Sequence, residues 1–378
     1  MIFEVDYSVI KKNLMIIKNI LTNTEWNKSE FTNIQIHVKD EHVFISYKGE
    51  EKTQLEYQFD LVGAETIING SIQVNLKELL EALTPFNKNS GVLLFERDGN
   101  ELRIDDGVYE PEIITLSEKN ELKEIFSVAR PKKHVNLSKK WFEKRMDLAR
   151  MNIKTTFLPA TNQIALLIQD CGISLRSFNL TNLYESKKRI EHSIPELTFL
   201  IEKQASARIA RLLKAIKDEE IKLFANNDSL YLFTDEFVFC FDADNNEESK
   251  LIYESLPTKE IAKGDSGIFV KTSELKKLTK VKRGETPPES VFVEWDKELI
   301  NVSYSINDSK FYHYPFRIVQ KVVSKWMQNM IVERGTEENH FPLIIKSNTD
   351  NEEDMFVIMR IGDEVEERSH NKKEEKIA

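Results

Sequence analysis

Apolar residues along the 378-residue chain follow two alternating rhythms. Six segments repeat every three to four residues, the period of a helix buried along one side. Leu76, Leu79, Leu80 and Leu83 fall at i, i+3, i+4, i+7, and so do Val319, Val322, Val323 and Trp326. Ile10, Leu14, Ile17 and Leu21 form a third stripe; Ile209, Leu212, Leu213 and Ile216 form a fourth. Leu137, Trp141, Phe142 and Leu148 mark 137–151, and Leu275, Leu278 and Val281 mark a thinner stripe over 272–283.

Behind each helix come two runs of period two joined by a polar turn, which predicts an antiparallel hairpin. Ile34, Ile36 and Val38 turn at Lys39-Asp40-Glu41 into Val43, Ile45 and Tyr47. Comparable turns fall at Asp98-Gly99, Asp170-Cys171-Gly172, Asn226-Asn227-Asp228, Asp296-Lys297-Glu298 and Gly335-Thr336-Glu337. Predicted helix starts near 7, 76, 137, 203, 272 and 318 are roughly 60–70 residues apart until the last gap of about 46. A one-sided helix and a half-buried hairpin cannot cover each other alone. Pairing the units gives three α+β domains, each two helices on antiparallel sheet, at 1–120, 133–260 and a shortened 266–362. Polar, Pro- and Lys-containing stretches at 117–134 and 257–266 read as linkers. The charged segment 363–378 reads as a disordered tail.

Composition adds limits. With 40% hydrophobic and 31% charged residues the chain is globular in type. No apolar run approaches ~18 residues, so no membrane span is expected, and the opening Met1-Ile2-Phe3-Glu4 is unlike a secretory leader. Cys171 and Cys240 lie in apolar, strand-like stretches and read as reduced core residues of a cytoplasmic protein.

Charge changes the picture more. Net charge is −10, which by itself argues against a nucleic-acid binder. Its distribution argues the other way. Segment 7–20 holds Lys11, Lys12 and Lys18 without an acid, and 203–217 holds Lys203, Arg208, Arg211, Lys214 and Lys217 without an acid. Lys139, Lys140, Lys144, Arg145 and Arg150 outnumber two acids in 137–151. Lys276, Lys277 and Lys280 crowd 272–283, and Lys321 and Lys325 sit in the sixth helix. Only 76–83 is acidic, by one charge. The six helices together carry +16, which leaves −26 for the remainder. Solvated helices ordinarily mix signs, because opposite charges at i,i+4 are mildly favourable. Helices sharing one basic surface toward a polyanion explain the sorting, with contacts to phosphates and not to bases. The plainer alternative is chance enrichment on solvated faces.

Signs of catalysis are missing. The seven histidines have no metal-ligand spacing, and with two distant cysteines there is no zinc set. Glycine-rich phosphate loops and a nucleophile elbow are absent, so neither a cofactor nor an enzyme activity is expected. Asp235, Glu236, Asp242 and Asp244 form the one acidic cluster that a magnesium-dependent nuclease would need. Acids at strand ends are the simpler reading. His313, between two tyrosines, reads as a partly buried strand residue.

Several short motifs, in order, resemble the bacterial sliding clamp, the beta subunit of DNA polymerase III. They are Ile2-Phe3-Glu4-Val5, Val74-Asn75-Leu76-Lys77-Glu78-Leu79-Leu80, Gly172-Ile173-Ser174-Leu175-Arg176-Ser177, Leu256-Pro257 and Phe356-Val357-Ile358-Met359-Arg360-Ile361. The resemblance spans about 360 residues and implies a non-catalytic DNA-binding processivity factor. Two three-domain chains would close a homodimeric ring around duplex DNA, with the basic helices lining the hole, and would tether polymerase. It also implies a pocket for short peptide motifs of polymerase and clamp loader, built here from Leu180, Thr181, Leu183, Pro257, Met355, Val357, Met359 and Arg360. The family's Gly-His pair has no counterpart in Leu180-Thr181-Asn182-Leu183. An alternative from another class is a clamp-like interaction scaffold that keeps the pocket and does not encircle DNA.

Overall fold

In the computed structural model, residues 1–360 are described except 22–25, 28–31, 49–54, 117–127, 155, 157, 170, 180, 191–194, 262, 305–311, 327–328, 338–340 and 350. The segment expected to be a tail, 363–378, lies outside the described residues.

All six predicted helices form: α1 (Tyr7–Ile20), α2 (Leu76–Ala82), α3 (Lys139–Ala149), α4 (Lys203–Ala215), then, after two further helices, Thr272–Leu278 and Phe316–Lys325. The two intervening helices are α5 (Glu247–Ser255) and α6 (Thr258–Ile261), so the last two of the six are α7 and α8. The first two of the six carry side-chain caps at their starts. Asp6 accepts from Ser8 N at 2.7 Å, and Asn75 from Lys77 N at 2.9 Å. Except for α1, which ends at Ile20 as predicted, the six end earlier than periodicity predicted. Helix α7 stops at Leu278, where Thr279 N and Oγ1 both donate to Leu275 O, and Gly284 follows with φ +91°. Lys280 therefore sits beyond the helix, and Lys217 lies past the end of α4.

The chain forms two compact units, Met1–Glu143 with Gln204–Asp244, and Lys144–Lys203 with Asn245–Ala378. The first holds a five-stranded antiparallel sheet and an eight-stranded one. Phe237–Asp242 pairs with Leu55–Asp60 across residues far apart in sequence, and aromatic rings seal the seam. Phe59 and Phe239 meet edge to face at 5.2 Å, and Tyr57 is fully buried beside them. The second unit holds another eight-stranded sheet, where Asn182–Arg189 pairs with Glu352–Ile358, and a three-stranded sheet of Leu299–Ser303, Ser290–Glu294 and His313–Pro315. The two units share out the segment 133–260 between them. Sheet pairing joins stretches that the sequence pattern assigns to different domains.

Alternation holds within the strands. On Asn182–Arg189, Tyr184 and Ser186 turn to the buried side together with Asp354 and Phe356 of the neighbouring strand. Leu183, Glu185 and Lys187 turn the other way with Val357, Met355 and Glu353. Cys240 is buried as expected, but Cys171 is exposed at a hairpin turn with φ 56°. The tight turn, not the apolar context, sets its place. His313 is buried, its Nδ1 2.7 Å from Ser290 Oγ. Among the described residues no helix is long and apolar enough to cross a membrane.

Candidate functional site

Two features gather the residues singled out by sequence: the charged faces of the helices and an apolar pocket beside the last strand.

On α1, Lys18 is exposed and Lys11 half-buried. Burial, and then the charge of Lys18, lowers the Lys11 ammonium from its ordinary value. Lys12 Nζ donates to Glu236 at 2.8 Å. Trp26 lies below two ammonium groups, with Lys18 Nζ 5.1 Å and Lys77 Nζ 5.5 Å from the ring centre. Sequence reasoning passed over Trp26 because the apolar stripe ends at Leu21.

On α4, Lys203 and Lys214 are exposed, as is Lys217 beyond its end. Arg211 reaches across to donate to the Ile20 and Leu21 carbonyls at 3.2 and 3.0 Å, which caps the C-terminal end of α1. Arg208 is only 3% exposed and belongs to the buried side with Ala205, Ile209 and Leu212. Burial, then the neighbouring Arg211 charge, pushes its guanidinium down to about 10. The expectation that Arg208 faces a phosphate is therefore corrected.

Arg145 on α3 needs the same correction. It is 2% exposed, and its Nε donates to Asp354 Oδ1 at 3.1 Å while its Nη2 donates to Asp354 Oδ2 and Glu352. Burial pushes the Asp354 carboxyl up, and Arg145 pulls against that shift. This arginine ties the helix to the sheet and is not available to DNA. Lys140 is exposed and Lys144 half-buried on this helix, and Arg150, just past its end, lies 4.0 Å from Asp147. Lys139 Nζ donates to Ile216 O at 3.1 Å.

In the last two helices Lys277 and Lys321 are exposed, as is Lys280 beyond α7. Lys276 donates to Trp326 O at 3.0 Å, and Lys325 lies 3.4 Å from Asp147. Arg317, exposed in the first turn of α8, is a further cation that the predicted start at 318 left out. The acidic cluster offers no metal centre. Asp235 pairs with Lys222 at 2.6 Å and Glu236 with Lys12, and among the described residues no group of three His, Cys, Asp or Glu could hold a metal.

The pocket has a volume of about 140 Å³. Leu183 and Val357, directly opposed on neighbouring strands, make its floor, packed on Ile344. Asn179 Oδ1 accepts from Thr181 N and Asn182 N at 2.8 and 3.0 Å and so folds the turn that forms one wall. Met359 N donates to Thr181 O at 3.0 Å and brings the end of the last strand against that turn. Leu256 and Ile261, on either side of the α5–α6 corner, form the opposite wall with Phe178.

Thr181, Leu183, Val357 and Met359 thus meet as expected. Met355 packs on the adjoining cluster without lining the cavity, and Pro257 is exposed on the corner. Arg360 stands over the Tyr312 ring at 5.4 Å. Leu180 lies outside the described residues. Phe178, Asn179 and Asn182 were missed at the turn between two strands, and Leu256 and Ile261 because α5 and α6 carry no clear stripe in sequence.

The fold has close counterparts among solved structures. Over 96% of this chain it superposes on the DNA polymerase sliding clamp of Bacillus subtilis (TM-score 0.72, 10% identity, 99% of that chain). Similar values hold for the DNA polymerase III beta subunit of Thermotoga maritima (0.71, 13%, 100% of that chain). They hold also for the Helicobacter pylori beta clamp bound to a DNA ligase peptide (0.71, 12%, 100%). No protein-family model and no curated protein sequence matches. The chain has the fold of the bacterial sliding clamp, reached by a sequence far from those structures.

Proposed function

We propose that this chain is a DNA sliding clamp, a non-catalytic cytoplasmic homodimer that encircles duplex DNA and tethers the replicative polymerase as a processivity factor. The observation that carries the reading is a pairing of two features. The chain has a clamp fold over 96% of its length, and solvent-exposed cations lie on the polar faces of its helices while the chain as a whole is −10. Lys18, Lys140, Lys203, Lys214, Lys277 and Lys321 are among the exposed members. Loose, sequence-independent contacts from such lysines to phosphates suit a protein that must slide.

Ring closure draws support from two sheet edges. Glu112–Thr115 ends the five-stranded sheet, near Val108, Tyr109 and Ile113, which are exposed. Leu299–Ser303 ends the three-stranded sheet, beside exposed Leu299 and Tyr304. Edges that are unpaired among the described residues and carry apolar side chains are what a head-to-tail sheet joint between two copies uses. The domain plan of that ring is the division at 1–120, 133–260 and 266–362. In this reading the pocket of Leu183, Val357 and Met359 receives polymerase and clamp-loader peptides, much as the Helicobacter pylori clamp carries a ligase peptide. The test is processive synthesis by a clamp-dependent polymerase on primed circular DNA, with and without this protein and a clamp loader. A scaffold that does not encircle DNA gains one point in its favour: Arg145, Arg211, Lys139 and Lys276 are engaged within the fold and not free for phosphates.

A further inference from the structure

We propose that a basic cleft farther along the same sheet face as the apolar pocket receives acidic residues of the same partner peptide. This rests on the peptide-pocket reading above and adds a specificity element to it. The shared face follows from strand alternation. Val357, Met355, Glu353 and Asn351 share one face of the last strand and its leading turn. Leu183, Glu185, Lys187 and Arg189 share that face on the neighbouring strand. The pocket floor is the Leu183–Val357 rung. Two rungs on, past Glu185–Met355, lies Lys187–Glu353, about 14 Å away at a strand rise of about 3.4 Å.

At that end opens a cleft of about 540 Å³, lined among others by Arg176, Lys187, Lys188, Arg189, Glu352 and Glu353. Its cations outnumber its acids in a chain that is −10. Lys188 is matched by Glu352 at 2.9 Å. Arg176 and Lys187, however, share the single carboxylate of Glu185, at 2.5 and 3.3 Å. Arg176 is further held by the Tyr253 carbonyl at 2.9 Å, so Lys187 is the less constrained partner of the two. Arg189 is exposed and makes no ion pair among the described residues. Lys187 and Arg189 therefore present positive charge to whatever runs along this face, and Glu353, opposite Lys187, opposes it. An extended peptide anchored at Val357 reaches the two cations four to six residues later. The complementary chemistry is Asp or Glu at that spacing.

The experiment titrates the full-length protein with fluorescein-labelled peptides that share a Leu-Phe anchor. One is plain, and two carry three aspartates four to six residues from the anchor, on the N-terminal or the C-terminal side. At low salt one of the acidic peptides is expected to bind about fivefold tighter than the plain one, in line with a few partly exposed ion pairs, and to lose that gain at high salt. Lys187→Ala with Arg189→Ala removes the gain and leaves the plain peptide unaffected, whereas Glu353→Gln enlarges it. No gain for either acidic peptide, or a gain that survives the double substitution, overturns the proposal. Met359→Ala separates the two readings. If it leaves the plain peptide's affinity unchanged, the pocket itself is wrong, whatever the aspartates do.

Discussion

Arg145 and Asp354 form a buried ion pair, at 2% and 5% exposure, between α3 and the last strand of the second unit. Its geometry is two-pronged, with Glu352 adding a third contact from the sheet. A charge placed there by the helix is neutralised by the sheet, and neither partner is left to face solvent.

Removing one partner strands the other. Arg145→Met is expected to destabilise the protein by about 3–5 kcal/mol, because Asp354 stays buried without its cation. Adding Asp354→Asn should recover part of the loss. Urea unfolding of the two variants and the wild type measures both effects. A cost below about 1 kcal/mol would return Arg145 to the list of surface cations.

The same residue marks where sequence reading stopped. Helix count, hairpins and most of the core were legible, because stripes such as Leu76, Leu79, Leu80 and Leu83 bury as their spacing dictates. Arg145 and Arg208 were misassigned by counting charge without consulting that spacing. Arg145 stands four residues after Trp141 and three before Leu148, and Arg208 four before Leu212, on the buried sides of their helices. The pocket was half legible. Val357 and Met359 came with the resemblance, but Leu256 and Ile261 sit at the C-terminal ends of two short helices without a clear apolar stripe, and strand pairing between distant segments leaves no local signal.

Exposed lysines should govern DNA affinity. Reversal to Glu at Lys18, Lys203, Lys214 and Lys321 is expected to weaken duplex binding at every sequence tested. It should also flatten the salt dependence by roughly 0.9 per lost phosphate contact. Anisotropy titrations across a salt series read the slope. An unchanged slope would remove these faces from the DNA site.

For the pocket, Leu256→Ala with Met359→Ala should weaken an apolar anchor peptide by about 1.5–3 kcal/mol. Both side chains are only half-buried, so thermal stability should change little. Equal peptide affinity in a folded variant would place the partner site elsewhere.

His37 sets a pH dependence in the first unit. Its buried ring lies tilted against Phe44, with Nε2 3.1 Å from both Gln35 Oε1 and Ser46 Oγ, and burial pulls it down to about 4. Unfolded, the ring takes up a proton near its ordinary 6.5, while the folded ring stays neutral. Stability is thus full above pH 6.5 and falls as pH drops from 6.5 toward 4, by up to about 3 kcal/mol. His37→Gln should flatten that part of the profile in urea titrations at pH 7.5, 5.5 and 4.5. A variant as pH-sensitive as the wild type would assign the slope to another group.

Encirclement is the central claim, and topology tests it most directly. The protein is loaded by a clamp loader onto nicked circular DNA, its mass in solution having been measured beforehand. The complex is then passed through a sizing column before and after one restriction cut. The account predicts a dimer that stays with the circle in moderate salt and slides off once the DNA is linear. A monomer, or a protein retained equally on circle and line, would contradict it.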